Sequence, residues 1–240
     1  MTEVSINTHI SRQFNAELED LRQQVLDMGA LVVRQVAGAV EALVEGDRGR
    51  AEDLIARDVE VNAMEVAIDE ACNHILIRRQ PTASDLRLVV AVIKTITDLE
   101  RIGDEAEKIA RMAAHLATQE GDTDSYADAG LLGNHVCQMV RDAMDAFARL
   151  DPQQALAVAK SDEQVDRRYE GLMRQYITLM MEDTRAIRRM LDVLWAVRAL
   201  ERIGDHACNI CEYVIYLVGG KDVRHTSLED LEREVSDKLK

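Results

Sequence analysis

The hexapeptide Leu-Glu-Arg-Ile-Gly-Asp occurs twice in this chain of 240 residues, at positions 99–104 and again at 200–205. At the same offset of 101 residues the match continues, with Ala106 and Ile109 corresponding to Ala207 and Ile210. Upstream the offset is 104, and Asp47, Ala51, Asp58 and Val61 correspond to Asp151, Ala155, Asp162 and Val165. Self-similarity at a long spacing indicates a duplicated structural unit, and a small change of length is tolerated best in a turn. We therefore predict two copies of one unit.

Composition and turn signals indicate that each copy is helical. The chain has only 2 Pro and 3% aromatic residues, and is poor in the residues that strands favour. Gly46 before Asp47 is typical of a helix end followed by a new N-cap, and Asp151 before Pro152 repeats that start. A further turn is predicted at residues 80–82. We predict six helices, near 8–45, 48–79, 82–119, 127–149, 152–182 and 185–218, in an all-α fold of two tandem, pseudo-symmetric three-helix bundles.

The most loop-like stretch, GDTDSYADAG at 121–130, lies at the midpoint of the chain. We accordingly place the first bundle in residues 1–120 and the second in residues 121–220. Residues 221–240 form a charged C-terminal tail in which we expect at most a short exposed helix. A hydrophobic content of 47% allows either one large core or two smaller ones.

Several classes of protein are disfavoured by the sequence. A formal net charge of −15 argues against nucleic-acid binding, because phosphate contacts need clustered Lys and Arg. Insertion into a membrane is not expected, since the apolar runs are too short to span a bilayer. The N-terminus has no apolar targeting segment, and the four cysteines have no disulfide-framework spacing. We expect a cytoplasmic protein.

Acidic side chains recur at helical spacing in both copies. Residues at i, i+4 and i+7 share one face of a helix, so such acids form a strip. Where two helices pack through their apolar faces, the strips beside those faces flank one groove. The predicted strips are Glu100, Asp104 and Glu107 opposite Asp58, Asn62, Glu65 and Asp69 in the first copy, and Glu201 and Asp205 opposite Asp162, Asp166 and Glu170 in the second.

Facing carboxylates are costly unless they are protonated, paired with basic groups or bridged by cations. Oxygen-rich sites suit Mg, Mn and iron, and Zn is also a candidate. We therefore interpret the grooves as metal sites. Two alternatives remain open: the strips are solvated helix faces, or Arg101 and Arg202 pair with them in a structural salt-bridge network.

Other motifs give no active site. Cys208-Asn-Ile-Cys211 lacks a second cysteine pair for zinc, so buried thiols are the preferred interpretation. No His follows a Glu by three residues, as a ferritin-like di-iron site requires, and there is no phosphate loop or catalytic triad. Gly103 and Gly204 indicate close helix packing, or room for a metal cluster. We expect a non-enzymatic protein; the alternative is a metal-dependent phosphatase or oxidase that uses the paired carboxylates.

The chain resembles the PhoU family of bacterial phosphate-signalling regulators. The resemblance lies in the duplicated LERIGD, in MEVAIDEAC at 64–72, in RRQPTASDLRLV at 78–89 and in ERIGDHACNICEYVIY at 201–216. It implies two three-helix bundles, a homodimer in the cytoplasm, and E(D)xxxD motifs that bind metal clusters in some members. Those motifs correspond here to Glu100/Asp104, Glu201/Asp205 and Asp162/Asp166, whereas the fourth position, Asp58/Asn62, departs from the pattern.

The same resemblance implies a negative regulator of the phosphate-starvation response that restrains phosphate uptake. Its implied partners are the ATPase of the phosphate ABC transporter and the sensor histidine kinase of the phosphate two-component system. Composition and periodicity alone predict neither the function nor these partners.

Overall fold

The computed structural model describes residues 3–81, 83–119, 126–224 and 226–237. Every regular element in these ranges is helical. A short 3₁₀ turn, Thr184–Ala186, precedes the sixth helix. The α-helices are α1 (Glu3–Glu45), α2 (Arg48–Arg79), α3 (Ala83–Leu116), α4 (Ala127–Arg149), α5 (Pro152–Glu182), α6 (Ile187–Gly219) and α7 (Leu228–Asp237). The six helices predicted from the sequence are confirmed, with ends that differ by a few residues.

The predicted N-caps account for two of the tight turns. The Asp47 side chain accepts a hydrogen bond from the Arg50 backbone N at 3.0 Å. In the second copy, Asp151 accepts from the backbone N of Gln153 at 2.9 Å, with Pro152 in the first turn. Gln80 ends α2 in a left-handed conformation with φ of 47°. Thr82, and residues 121–125 of the predicted central loop, lie outside the described residues.

The two bundles, α1–α3 and α4–α6, share one continuous hydrophobic core. The most extensive packing in the molecule is between α3 and α6, which come from different bundles, and α1 also packs on α4. The approach of α1 and α4 depends on glycine, because a Cβ at Gly133 would lie 2.6 Å from Val40 Cγ2. Of the two core arrangements that the composition allowed, the protein adopts the single large core.

Two buried acids cross the contact between α3 and α6. Asp98 is 6% exposed and accepts hydrogen bonds from His206 Nδ1 at 2.7 Å, Asn209 Nδ2 at 3.0 Å and Tyr213 OH at 2.8 Å. Glu105, 3% exposed, is paired with Lys108 Nζ at 3.0 Å and with an Arg202 guanidinium nitrogen at 2.9 Å. Buried carboxylates need such partners. Register between the bundles is therefore fixed by polar contacts as well as by apolar packing.

The C-terminal segment differs from the expected exposed helix. α7 packs on α5, and Leu231 and Val235 on its inner face are buried. Val223, in the connection before α7, is buried as well. The apolar residues at i and i+4 bury one side of α7, while charged residues cover the other. The charged tail therefore contributes to the core. No helix in the described ranges is both long enough and apolar enough to cross a membrane.

Candidate metal-binding grooves

The first groove lies between α2 and α3, where a glycine allows close packing. A Cβ at Gly103 would lie 3.3 Å from Val61 Cγ1 on α2, so the helices meet directly beside the predicted acids. Asn62 Nδ2 donates to Asp58 Oδ2 at 3.3 Å across one turn of α2. Glu107, on α3, is paired with Arg111. The predicted packing of the two strips across one groove is confirmed for this pair of helices.

Electrostatic repulsion across the first groove is evident in its carboxyl groups. Burial raises the pKa of Asp58, and nearby Glu107 and Asp104 raise it further. Burial also raises the pKa of Glu100, with Asp104 as the next contributor. The pKa of Glu65 is raised by burial and then by Asp69. These acids therefore influence one another from both helices, as expected for facing strips.

The second groove lies between α5 and α6 and is built in the same way. A Cβ at Gly204 would lie 3.1 Å from Asp162 Oδ1 and 3.5 Å from Val165 Cγ1. Gly204 therefore gives the Asp162 carboxylate room at the floor of the groove. At the edge, Arg198 Nη1 donates to Glu201 Oε1 at 2.6 Å.

The groove acid with the largest pKa shift, Asp162, lies in the second groove. Burial raises the pKa of Asp162 to about 6, and the next contributors are Asp166 and Asp205. Asp205 is exposed at the rim, yet loss of hydration and then Asp166 raise its pKa. Burial and then Asp205 raise the pKa of Glu201, although Arg198 opposes this shift. An acid with a pKa near 6 loses its proton only at appreciable electrostatic cost at neutral pH.

Four oxygens in the grooves are buried without a hydrogen-bond partner: Asp58 Oδ1, Asn62 Oδ1, Asp162 Oδ1 and Glu201 Oε2. A buried acceptor without a partner is destabilising, and a cation is one means of satisfying it. The donor set, mostly carboxylate oxygen, suits a divalent cation or iron. In the described residues no three His, Cys, Asp or Glu side chains are close enough to hold an ion as they stand. The residues fit a metal provided that their side chains turn inward to bind it.

Some predicted residues have other contacts. Asp69 accepts from Asn73 Nδ2 at 3.1 Å, although it still raises the pKa of Glu65. Glu170 is exposed and paired with Arg174 at 3.6 Å. Arg202 pairs with Glu105 of the neighbouring bundle, 2.9 Å away. Asp69 and Glu170 therefore lie at the ends of their strips.

Cys208 is a groove residue that the sequence interpretation missed. At the 101-residue offset it corresponds to Glu107, and it follows Glu201 and Asp205 at the i+7 position of the strip. The Cys208 thiol and the Asp162 carboxyl group affect each other's pKa, and burial raises the thiol pKa. Cys211, by contrast, is fully buried, as expected. The i+7 spacing from Glu201 identifies Cys208 as part of the strip, but the sequence interpretation considered this cysteine only as part of the Cys-x-x-Cys pattern.

Sequence comparison identifies close relatives over almost the whole chain. The PhoU domain matches twice, at residues 25–113 and 130–214. The phosphate-specific transport system accessory protein PhoU homolog of Pseudomonas aeruginosa is 52% identical over 231 residues, which cover 96% of each chain. The phosphate-specific transport system accessory protein PhoU of Escherichia coli K12 is 47% identical over 238 residues, covering 99% of this chain and 98% of that protein.

Solved structures agree with this assignment. The crystal structure of PhoU from Pseudomonas aeruginosa has a TM-score of 0.84 at 52% identity, covering 87% of this chain and 100% of the other. The phosphate transport system regulatory protein PhoU from Streptococcus pneumoniae has a TM-score of 0.81 at 32% identity, covering 88% and 99%. The names of these relatives describe accessory and regulatory proteins, not enzymes. The two matched halves, the fold and the full-length relatives together show that this chain belongs to the PhoU family.

Proposed function

We propose that this protein is a negative regulator of the phosphate-starvation response and a modulator of phosphate uptake. It acts as a metal-binding adaptor between the ATPase of the phosphate ABC transporter and a sensor histidine kinase. The observation that carries the proposal is the identity of 52% over 96% of both chains with an accessory protein of phosphate-specific transport. Identity at this level along the full length supports a shared role.

The acidic grooves supply a physical basis for regulation. Asp58, Asn62, Glu100 and Asp104 would hold an ion in the first groove, and Asp162, Asp166, Glu201 and Asp205 in the second. A bound cation supplies the positive charge that offsets repulsion between the strips. The carboxylates then draw α2 toward α3 and α5 toward α6. The surface that the protein presents to its partners therefore depends on bound metal.

The two grooves differ in their donors. Asn62 occupies a position at which the second copy has the acid Asp166, so the first groove has one charge fewer there. Cys208 adds a thiol to the second groove, whereas Glu107 adds an oxygen to the first. Thiolate ligands favour zinc and iron over magnesium. We accordingly assign a softer metal preference to the second groove.

A reporter of phosphate-responsive expression in a deletion strain tests the regulatory role. Loss of the protein should derepress the reporter in high phosphate, and the wild-type gene should restore repression. Normal repression in the deletion strain would exclude the role. Complementation with Glu201→Ala/Asp205→Ala tests the second groove, and Glu163→Ala, an exposed acid paired with Arg167, is the matched control.

Elemental analysis of protein purified without chelators or an affinity tag tests the metal sites. We expect bound Mg, Mn, Fe or Zn, with the first-groove ions lost in Glu100→Ala/Asp104→Ala. Unchanged metal content in that variant would show that the ligands are wrongly assigned. Copurification of the transporter ATPase and the kinase tests the adaptor role, and light scattering tests the homodimer.

A further inference from the structure

A cavity of about 400 Å³ opens between α3 and α6, and none of the predicted metal ligands lines it. Its wall includes the cationic side chains of Lys108, Arg198 and Arg202, and the apolar side chains of Trp195 and Ala199. The volume lies within the usual range for small-molecule sites and far exceeds the size of an orthophosphate ion. The contacts described so far leave this cavity without a role.

The internal repeat explains why the cavity is open. At the 101-residue offset, Asp98 corresponds to Ala199, and Glu105 corresponds to His206. On one side of the contact between α3 and α6, the carboxylate of Asp98 fills the space beside His206. On the other side, Ala199 has no such carboxylate, and the space beside Glu105 remains a cavity. A ligand would occupy the place that a side chain fills in the other copy.

The charge of the cavity is positive in a protein whose net charge is −15. Three cationic side chains line it, against the single buried carboxylate of Glu105. Lys108 and Arg202 share Glu105, and Arg198 pairs with Glu201 at 2.6 Å. The side chains of Lys108, Arg202 and Arg198 are 51%, 42% and 47% exposed, respectively. Lys and Arg also have more N–H donors than these pairs use. Glu105 thus holds two cations in place while donors stay available.

Trp195, the only tryptophan of the chain, lies at the mouth of the cavity and is 65% exposed. The corresponding residue of the first copy is Lys94, whose Nζ lies over the rings of Tyr213 and Tyr216 at 5.4 Å and 5.7 Å. Exposing a large indole beside water is unfavourable, and its face is suited to stacking on a planar ring. An aromatic face beside several cationic groups matches a ring that carries a phosphate.

We propose that this cavity binds a nucleoside phosphate. The phosphates contact Lys108, Arg198 and Arg202, and the base stacks on Trp195. Arginine and lysine bind phosphate by charge-assisted hydrogen bonds, and Glu105 positions two of these three side chains in advance. The residues that line the site differ from the proposed metal ligands, and Arg198, which pairs with Glu201 at 2.6 Å, connects it to the second groove.

Trp195 fluorescence and calorimetry with ADP test the proposal on the full chain. We expect ADP to quench the fluorescence saturably, with matching heats, and adenosine and orthophosphate to bind at least about tenfold more weakly. Absence of both quenching and heat with ADP would overturn the proposal. Equal affinity for orthophosphate alone would overturn the assignment to nucleosides.

Two variants place the ligand in the cavity. Ala199→Asp supplies the missing carboxylate, and we expect it to abolish ADP binding; Ala56→Asp adds the same charge on the exposed face of α2 and should bind normally. Lys108→Met leaves Arg202 to pair with Glu105, so the fold is retained and affinity should fall about tenfold. Circular dichroism verifies folding of each variant. Wild-type affinity in a folded Ala199→Asp, or in Lys108→Met, would contradict the site.

Discussion

The Asp162 carboxyl group links the second groove to pH. Burial and its acidic neighbours raise its pKa from 3.8 to about 6. Because the folded-state pKa is above the unfolded one, the folded protein binds the proton more tightly. The cost of the charged form is fully present above about pH 6 and disappears as the pH falls through 6 toward 4. In the metal-free protein this residue therefore opposes folding at neutral pH.

We expect Asp162→Asn to stabilise the metal-free protein by about 1 kcal/mol near neutral pH, after allowance for solvent screening in an open groove. The difference from wild type should shrink as the pH falls from 6 and disappear only well below pH 3.8, where the Asp162 carboxyl is protonated in both the folded and the unfolded protein. Urea unfolding at several pH values measures this. Glu163→Gln, the exposed neighbour, is the control. A destabilised Asp162→Asn at neutral pH would show that the carboxylate charge is not costly.

Cys208 predicts a spectroscopic difference between the grooves. We expect Co²⁺ to give a near-ultraviolet thiolate-to-metal charge-transfer band in the wild-type protein, because a thiolate replaces oxygen in the donor set. The band should be lost in Cys208→Ser and retained in Cys211→Ser, whose thiol lies in the core. If Co²⁺ binds without producing the band, the metal groove stands and only the assignment of the thiol as a ligand is wrong. If no Co²⁺ binds, the result counts against both metal grooves.

Residues on one helix were predictable because helical spacing determines a shared face. The acids at positions 58, 100, 104, 162, 201 and 205 were found in this way. Asp98 and Glu105 were not, because each is satisfied by donors that include residues about a hundred positions away. Local patterns contain no information about such partners. Cys208 was predictable in principle, from the i+7 position of its strip.

Among the helices, α3 and α6 carry buried polar contacts that join the bundles. Asp98→Ala would leave the donors of His206, Asn209 and Tyr213 without their acceptor. We expect a loss of about 3 kcal/mol in the free energy of unfolding, the usual range for breaking a buried charged network. Asp145→Ala, an exposed acid on α4, should change it by less than about 0.5 kcal/mol.

Urea denaturation followed by circular dichroism measures both variants. A loss below about 1 kcal/mol in Asp98→Ala would mean that solvent reaches the three donors and that the network is not a buried one.

Helix positions followed from the sequence because Pro, Gly and Asp interrupt an otherwise strong helical pattern. The packing of α7 did not, because its charge content masked a short apolar face. Leu231 and Val235, four residues apart, are 6% and 4% exposed on that face. In a short helix two apolar residues are enough to bury one side. Amphipathic spacing was a better guide to this segment than its net charge.

At the scale of the whole molecule, the continuous core predicts cooperative unfolding. Core side chains of both bundles form one cluster, and α3 packs most extensively on a helix of the other bundle. We expect a single urea transition in which Trp195 fluorescence, from the second bundle, coincides with circular dichroism of the whole chain. Two separated transitions would show that the bundles unfold independently.

The pairing of α3 with α6 has a consequence for synthesis. α3 ends at Leu116, and the helix that covers it is complete only at Gly219. At about 5–20 residues per second, the ribosome needs about 5–20 s to make the intervening chain. During that interval the nascent first half exposes an apolar face and a carboxylate, Asp98, whose three donors have not yet been synthesised. On a polysome, the first half of a neighbouring nascent chain presents a similar apolar face. We therefore expect mispairing between the first halves of two chains to begin on polysomes that translate this message.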